Sequence, residues 1–223
     1  MTALIGYQAA LLLRSHRWLP PLLLYAAFVA VGVRTGEPVL DAYGWAATAL
    51  VPVGAWLVRV CVTGEPDAAR DCAAAALGPR RAHLAAVLTG LGATVLLGAA
   101  GTAAVALIGD PHSADHRVAV PTWPAAAAGL LTALTCALLG AAAGALCNRP
   151  LLRSTGRAVP ATMLAVFAVL FAGASPARAA VTGLVTGSHD GVVRMPVPAL
   201  ACAVLVAAVA TGVACTASGR RRG

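Results

Sequence analysis

Six long apolar stretches follow one another along the chain, and they constrain its fold more than any other feature. They cover residues 18–33, 43–62, 84–108, 123–146, 158–174 and 197–216. Each is close to the length, about 17–25 residues, at which an α-helix crosses about 30 Å of hydrocarbon. Of the 223 residues, 60% are hydrophobic and 11% are charged, which argues against a disordered chain or a soluble domain. The sequence therefore predicts an all-α polytopic membrane protein, with six transmembrane helices in one domain covering residues 1–223.

The 16 basic residues, all of them Arg, are divided unequally between the two sets of loops. Twelve lie before the first span, in or next to the second and fourth loops, and in the tail, whereas four lie in the other loops. Loops rich in basic residues stay on the cytoplasmic side of a membrane. We therefore predict a multi-pass protein of the cytoplasmic membrane with both the N- and C-termini cytoplasmic. The net charge of +8 then reflects topology in a lipid bilayer, and no nucleic-acid partner is expected.

The residues before the first span, Thr2 to Leu13, are a further helix candidate. The apolar side of this helix is formed at helical spacing by Leu4, Ile5, Leu11 and Leu12. Gln8 is expected on another side. Because His16, Arg17 and a Pro pair interrupt the apolar run, we predict an interfacial helix that lies along the inner membrane surface. The alternative is that it extends the first span.

The middle of every predicted span is free of ionisable residues, which are the usual signs of pumps, proton relays and cofactor sites in membranes. All five His lie in loops or at span ends. No HExxH, GxSxG, Walker or CxxC motif occurs. We therefore expect no haem, zinc or other cofactor, and no enzymatic activity in this chain.

One outer loop has a residue pattern that is compatible with a metal site. His112 and His116 are four residues apart, so on a helix both could bind a metal together with Asp115. Pro111 and the short loop favour the alternative, a solvated polar segment.

Small residues in the fourth span also have two interpretations. Gly140 and Gly144 form a GxxxG pattern, which allows helices to approach closely in lipid. The pattern predicts either a dimer face or ordinary packing within one bundle, and the abundance of Ala and Gly favours packing.

The second cytoplasmic loop, residues 63–83, carries signals for a short helix. Pro suits a first helical turn, and acidic side chains interact favourably with the positive end of the helix dipole. Glu65-Pro66-Asp67 is a signal for the start of a helix, and Gly78-Pro79 is a signal for its end. Arg80-Arg81 then leads into the third span. Between them, residues 68–77 are predicted to be helical. Arg59, just before this loop, is expected either to extend to the membrane surface or to pair with Glu65 or Asp67.

This loop, with the N-terminal helix and the six spans, resembles the permease subunits of ABC-2-type transporters, especially small actinobacterial ones. The resemblance lies in the acidic-Pro start, the Ala-rich helix, the Gly-Pro-Arg-Arg turn and the re-entry into a Gly-rich span, and it covers most of the chain. It implies that the loop is a coupling helix that contacts a separate ABC ATPase subunit. The positions that it assigns to this contact are Glu65, Asp67, Arg70, Asp71, Arg80 and Arg81. Residues 175–196 also resemble the family's outer re-entrant region.

The function that the resemblance implies is that of a membrane-spanning permease subunit of an ATP-driven ABC transporter. It would pair with a second copy or a homologous permease, and ATP would be hydrolysed in the partner subunit. The alternative is a non-catalytic integral membrane accessory or immunity protein without an ATPase partner. In either case the charged loop is expected to face water, so that substitutions there change stability by about 0.5 kcal/mol or less.

Overall fold

The computed structural model describes residues 1–152 and 154–220, and these residues form nine α-helices. The helices are α1 Thr2–Arg14, α2 Leu19–Gly32, α3 Val39–Gly64, α4 Asp67–Leu77, α5 Pro79–Ile108, α6 Thr122–Leu146, α7 Thr155–Phe171, α8 Pro176–Asp190 and α9 Val197–Arg220. Within the described residues, β pairing is limited to two isolated bridges. Three of the Arg used for the topology prediction, at positions 153, 221 and 222, lie outside the described residues.

Four helices, α3, α5, α6 and α9, are long and apolar enough to cross a membrane. The pair α7 and α8 passes the same test together but is bent by 41°, which gives up to five spans. The remaining apolar helix, α2, has 14 residues and is therefore about 21 Å long, less than the hydrocarbon thickness. The predicted all-helical, multi-pass character is therefore supported by length and composition for four or five helices.

The predicted ends of the spans shift by a few residues. The second span extends outward to Val39 and Gly64. The third begins at Pro79, because Pro is favoured at the first position of a helix. The largest difference is at the predicted fifth span, 158–174, because α7 ends at Phe171 and a new helix begins at Pro176. Most of the segment 175–196, for which an outer re-entrant region was expected, is therefore helical.

Two helices, α3 and α6, form the centre of the bundle. In each of them 67% of the most apolar segment is buried, compared with 22% in α5 and 17% in α9. The GxxxG pattern explains the close contact of α3 with α6. A Cβ on Gly140 would lie 2.6 Å from the carbonyl oxygen of Val51, and one on Gly144 would lie 2.8 Å from that of Ala55. Both glycines are thus covered within the same chain, and the interpretation of this pattern as a dimer face is wrong.

The bundle has two ends, which we name by their contents. At the α4 end, α1 and α4 meet the end of α3 and the start of α5, and Gly219 of α9 lies against the Arg80 side chain. At the loop end, residues 33–38, 109–121 and 190–196 meet: the amide of Val39 donates to the carbonyl of Asp110, and that of Ala114 donates to Ser188.

The break between α7 and α8 is closed by side chains. The Ser175 hydroxyl donates to the carbonyl of Val169, and Nη1 of Arg178 donates to that of Phe171 at 3.1 Å. These bonds satisfy carbonyl groups that the end of a helix leaves without a partner. Beyond the break, α8 follows the first half of α3, where Val181 faces Gly44. Together α7 and α8 therefore connect the α4 end with the loop end.

Candidate partner-docking surface at the α4 end

Local sequence signals determine where α4 begins and ends. Pro66 precedes its first residue, Asp67, and Gly78 follows its last, Leu77. Gly78 has φ of +88°, a conformation that other residues adopt only with strain. The predicted short helix is therefore confirmed to within one residue.

The six positions assigned to the ATPase contact fall into two groups. The exposed group consists of Asp67, Asp71, Arg80 and Arg81. In contrast, Glu65 is only 6% exposed and Arg70 is half-buried. The prediction that this whole loop faces water is therefore wrong for Glu65. Its carboxylate lies inside the α4 end because α1 packs over it.

Glu65 is covered by a residue that the sequence analysis placed elsewhere. Oε2 of Glu65 accepts a hydrogen bond of 3.0 Å from Nε2 of Gln8, and Gln8 is 2% exposed. Leu4, Gln8 and Leu12 form the buried side of α1, so the prediction that Gln8 lies away from the apolar side is wrong. The spacing of four residues from Leu4 to Gln8 to Leu12 is the sequence signal that would have identified it.

Tyr7, on the same helix, also interacts with the buried carboxylate of Glu65. Desolvation raises the pKa of Tyr7, and the negative charge and hydrogen bond of Glu65 raise that pKa further. The contact of α1 with Glu65 thus involves two neighbouring side chains.

One ion pair and one hydrogen bond attach α4 to the rest of this end, and a second ion pair lies within the helix. Oδ1 of Asp67 lies 3.2 Å from Nη1 of Arg70 and 3.0 Å from Nη1 of Arg149, which belongs to the α6–α7 connection. Nη2 of Arg70 also donates to the carbonyl of Glu65 at 2.9 Å. Asp67 is well exposed, so each ion pair contributes at most about 1 kcal/mol. Their main effect is to fix the orientation of α4.

The ion pair considered between Arg59 and Glu65 or Asp67 is not formed among the described residues, and the extension of Arg59 to the membrane surface stays a prediction. Nη1 of Arg59 donates to Oδ1 of Asn148 at 2.9 Å, and Nδ2 of Asn148 donates to the carbonyl of Gly144 at 2.8 Å. Asn148 is 1% exposed and was not identified from the sequence. An amide side chain directly after an apolar span was the available signal, since a buried amide needs partners.

Two adjoining cavities lie beneath and beside α4, with volumes of about 730 Å³ and 310 Å³. Residues common to both linings are Glu65, Asp67, Arg70 and Arg149. The ends of α3, α5 and α9 provide the remaining walls of the larger one. This arrangement can bind a partner or ligand non-covalently through charge and hydrogen bonds.

At the loop end the considered metal arrangement is not formed. Residues 109–121 are not helical, and the rings of His112 and His116 both approach Asp110 rather than Asp115. Asp115 instead accepts a hydrogen bond from the Ser113 hydroxyl, which lowers its pKa. The hydrogen bond from His112 lowers the pKa of Asp110 as well.

Comparison with known proteins identifies no relative of this chain. No family model, no curated protein and no solved structure matches the chain. The functional proposal therefore depends on the α4 end itself.

Proposed function

We propose that this chain is the membrane-spanning permease subunit of an ATP-driven ABC transporter of the ABC-2 type. Its spans are α2, α3, α5, α6, the bent pair α7–α8, and α9, and α1 lies at the membrane surface. The α4 end faces the cytoplasm, so that both chain ends are cytoplasmic. A separate ABC ATPase docks on α4, and a second copy or a homologous permease completes the transporter.

The six-span arrangement is supported by the directions of α2 and of the bent pair α7–α8, the two proposed spans that are not single long helices. Arg17, before α2, lies near Gly64 at the α4 end, whereas Val33, after α2, packs with Val39 at the loop end. The short α2 therefore extends between the two ends of α3. The bent pair α7–α8 also extends from the α4 end to the loop end. Side-chain hydrogen bonds at its break supply the partners that backbone groups need in a membrane.

The cytoplasmic placement of the α4 end is supported by its basic side chains. The Arg side chains at this end, within or next to the described helix termini, are Arg14, Arg17, Arg59, Arg70, Arg80, Arg81, Arg149 and Arg157. The loop end has fewer, and basic residues favour the cytoplasmic side.

The observation that carries the docking proposal is that α4 has one exposed side and is attached to the bundle by its other contacts. It is a short helix whose outer side is exposed at Asp71 and Cys72, and the exposed Arg80 and Arg81 stand directly beyond its end. It packs on α5, Arg70 attaches it to Glu65 at the end of α3, and Asp67 attaches it to the α6–α7 connection. A force applied to α4 would therefore reach α5, the end of α3 and the α6–α7 connection directly, and α1 through Glu65.

Such an attachment can couple ATP binding to the bundle. ATP-driven association of two ATPase subunits would move the docked α4 helices and change the relative stability of inward- and outward-facing states. The ATPase would supply the energy, and this chain would supply the path and the mechanical connection.

The experiment is charge reversal on the exposed group alone. The proposal predicts that an ABC ATPase encoded beside this gene co-purifies with the chain, and that the variant Asp71→Arg/Arg81→Glu loses this complex while it inserts and folds normally. Like charges placed against a partner can cost several kcal/mol of association. The matched control is Asp115→Arg/Arg117→Glu, the same exchange on exposed residues of the loop end.

Arg70 is unsuitable for this test, although it was one of the six assigned positions. Its guanidinium holds the Glu65 carbonyl and Asp67, so a reversal there would disturb the fold as well as any partner. If the exposed double reversal leaves complex formation and transport unchanged, α4 is not the ATPase contact. If no ATPase binds the wild-type chain, the accessory or immunity function takes the place of this proposal.

A further inference from the structure

The smaller cavity at the α4 end lies between the ends of proposed spans. Its volume is about 310 Å³, and its walls come from the end of α3, the α6–α7 connection, the start of α7 and the start of α4. The charged residues of its lining are three Arg and two acids, Arg59, Arg70, Arg149, Glu65 and Asp67. The partners of these five side chains decide which kind of ligand the cavity suits.

Four of the five charged side chains have partners within the chain. Arg70 and Arg149 both pair with Asp67. The carboxylate of Glu65 is covered by side chains of α1, one of which donates to it at 3.0 Å. Among the described residues, Arg59 makes no ion pair. In that part of the chain the guanidinium of Arg59 therefore has no anionic partner.

The guanidinium of Arg59 is held in place, and most of its donors stay accessible. Its Nη1 donates to Oδ1 of the buried Asn148, which is itself fixed by a hydrogen bond to Gly144. A guanidinium has five N–H donors, so one hydrogen bond leaves most of them unused. No nitrogen of Arg59 is among the buried side-chain atoms of the described residues that lack a partner. The nitrogens without a hydrogen bond can therefore be reached by water, and Arg59 lines the cavity.

The depth of Arg59 makes an anion favourable at this place. The residue is half-buried and lies five positions before the end of α3, which is about 7–8 Å inside the helix end. A charged side chain within a membrane span is costly and is usually paired. The amide of Asn148 supplies a hydrogen bond but no charge. An anion bound beside Arg59 would supply both.

The start of α7 favours the same kind of ligand. Thr155, its first residue, lines the cavity, and the side chain of Ser154 before it makes no capping hydrogen bond. The first N–H groups of a helix have no partner within the helix, and together with the helix dipole they attract anions such as phosphate. A guanidinium and a helix N-terminus thus border one cavity.

We propose that this cavity binds a phosphate group, with the guanidinium of Arg59 as its main donor and the first turn of α7 as the second. Arg donates two parallel hydrogen bonds to phosphate oxygens, which makes it the best-suited side chain for this group. The phosphate belongs either to a phospholipid headgroup, which basic cavities between spans bind, or to inorganic phosphate. Leu152 and Ala158 in the lining are compatible with the apolar part of a lipid. This site goes beyond the permease proposal and requires neither the ATPase nor a second copy.

The test uses the purified, delipidated chain in detergent with three probes. Phosphatidylglycerol carries an anionic phosphate, diacylglycerol with the same acyl chains lacks it, and inorganic phosphate lacks the acyl chains. Native mass spectrometry measures saturable binding of the two lipids, and isothermal titration calorimetry measures that of inorganic phosphate. We expect saturable binding of phosphatidylglycerol and none of diacylglycerol. Inorganic phosphate that competes with the lipid shows that the phosphate alone is sufficient, whereas binding of the lipid alone identifies the headgroup as the ligand.

Variants assign the binding to this cavity. Arg59→Gln removes the charge and keeps an N–H donor, so it should lower the affinity for the phosphate-bearing probe at least about tenfold. Thr155→Asp places a carboxylate at the cavity and should also weaken binding. Because an acidic side chain stabilises the start of a helix, this second variant should keep its Tm. The matched control is Arg14→Gln, which removes an exposed Arg of the same end outside the lining and should leave the affinity unchanged.

Four results would overturn the proposal. They are the absence of saturable binding of both phosphate-bearing probes, an equal affinity for diacylglycerol and phosphatidylglycerol, an unchanged affinity in both Arg59→Gln and Thr155→Asp, and an equal loss in Arg14→Gln. The last result would indicate a general attraction of anions to this end. None of them would affect the permease proposal, which is tested by complex formation with the ATPase.

Discussion

The two ends of the bundle are closed in different ways. At the loop end, backbone groups bond directly to one another: Val39 and Asp110 are joined at 3.0 Å, and Val120 donates to the carbonyl of Pro111 at 2.8 Å. At the α4 end, side chains from distant parts of the sequence provide the connections, including Gln8 with Glu65 and Asp67 with Arg149. The α4 end also contains the two cavities.

This difference indicates a rigid end and an adjustable end. Backbone pairing fixes a loop independently of side-chain identity, whereas side-chain contacts around a cavity can be exchanged for contacts with a partner. Elements that move are taken from regions of low local stability. We therefore expect conformational change to begin at the α4 end while the loop end stays closed.

The largest effect is expected from the buried pair at the α4 end. Gln8→Leu removes the donor to Glu65 and leaves a buried carboxylate without it, which should lower the free energy of unfolding by about 2–3 kcal/mol. In the double variant Gln8→Leu/Glu65→Leu the cost should be smaller than the sum of the two single costs, because both polar partners are gone. Thermal unfolding in detergent measures all three variants. Additive costs would show that the two residues do not interact.

A smaller effect is expected from the corresponding side-chain contact at the loop end. Ser188→Ala removes the hydroxyl that donates to Oδ2 of Asp41 at 3.0 Å. Asp41 is partly exposed and the backbone bonds of this end remain, so the expected loss is about 1 kcal/mol. Hydrogen exchange at Ala114 and Val120 should stay slow in this variant. Fast exchange there would contradict the view that backbone pairing closes this end.

The sequence predicted structure well where the signals were local. Pro66 and Gly78 determined the bounds of α4, and apolar length located the central helices. Contacts between distant residues were not predictable in this way. Gln8 and Glu65 are 57 residues apart, and the burial of Glu65 results only from the packing of α1 over it.

Other differences have the same origin. The GxxxG pattern predicted close packing of Gly140 and Gly144, but the identity of the packed helix, α3, depends on the whole bundle. The end of α7 was missed because Ser175 and Pro176, which begin α8, follow an apolar run that hydropathy alone extends to residue 174.

The smallest effect concerns pH at the loop end. The hydrogen bond from His112 lowers the pKa of Asp110 below its ordinary value of 3.8. A carboxylate with a lowered pKa in the folded state stabilises the protein above its ordinary pKa, and the contribution is lost as the pH falls through the lowered value. Tm should therefore fall slightly more in the wild type than in Asp110→Asn between pH 6 and pH about 3. Identical pH profiles of the two proteins would show that the contact does not contribute.

The docking of a partner on the exposed side of α4 is tested most directly with Cys72, a native cysteine that is exposed on this helix. The experiment uses a variant in which the other cysteines are replaced, carries a photoactivatable maleimide cross-linker on Cys72, and includes the co-expressed ATPase. The matched control has Arg117→Cys as its single cysteine, at an exposed position of the loop end. Our account predicts a cross-link to the ATPase from Cys72 and none from the label at position 117. Equal labelling of Cys72 with and without the ATPase, with no cross-link from it, would contradict the account.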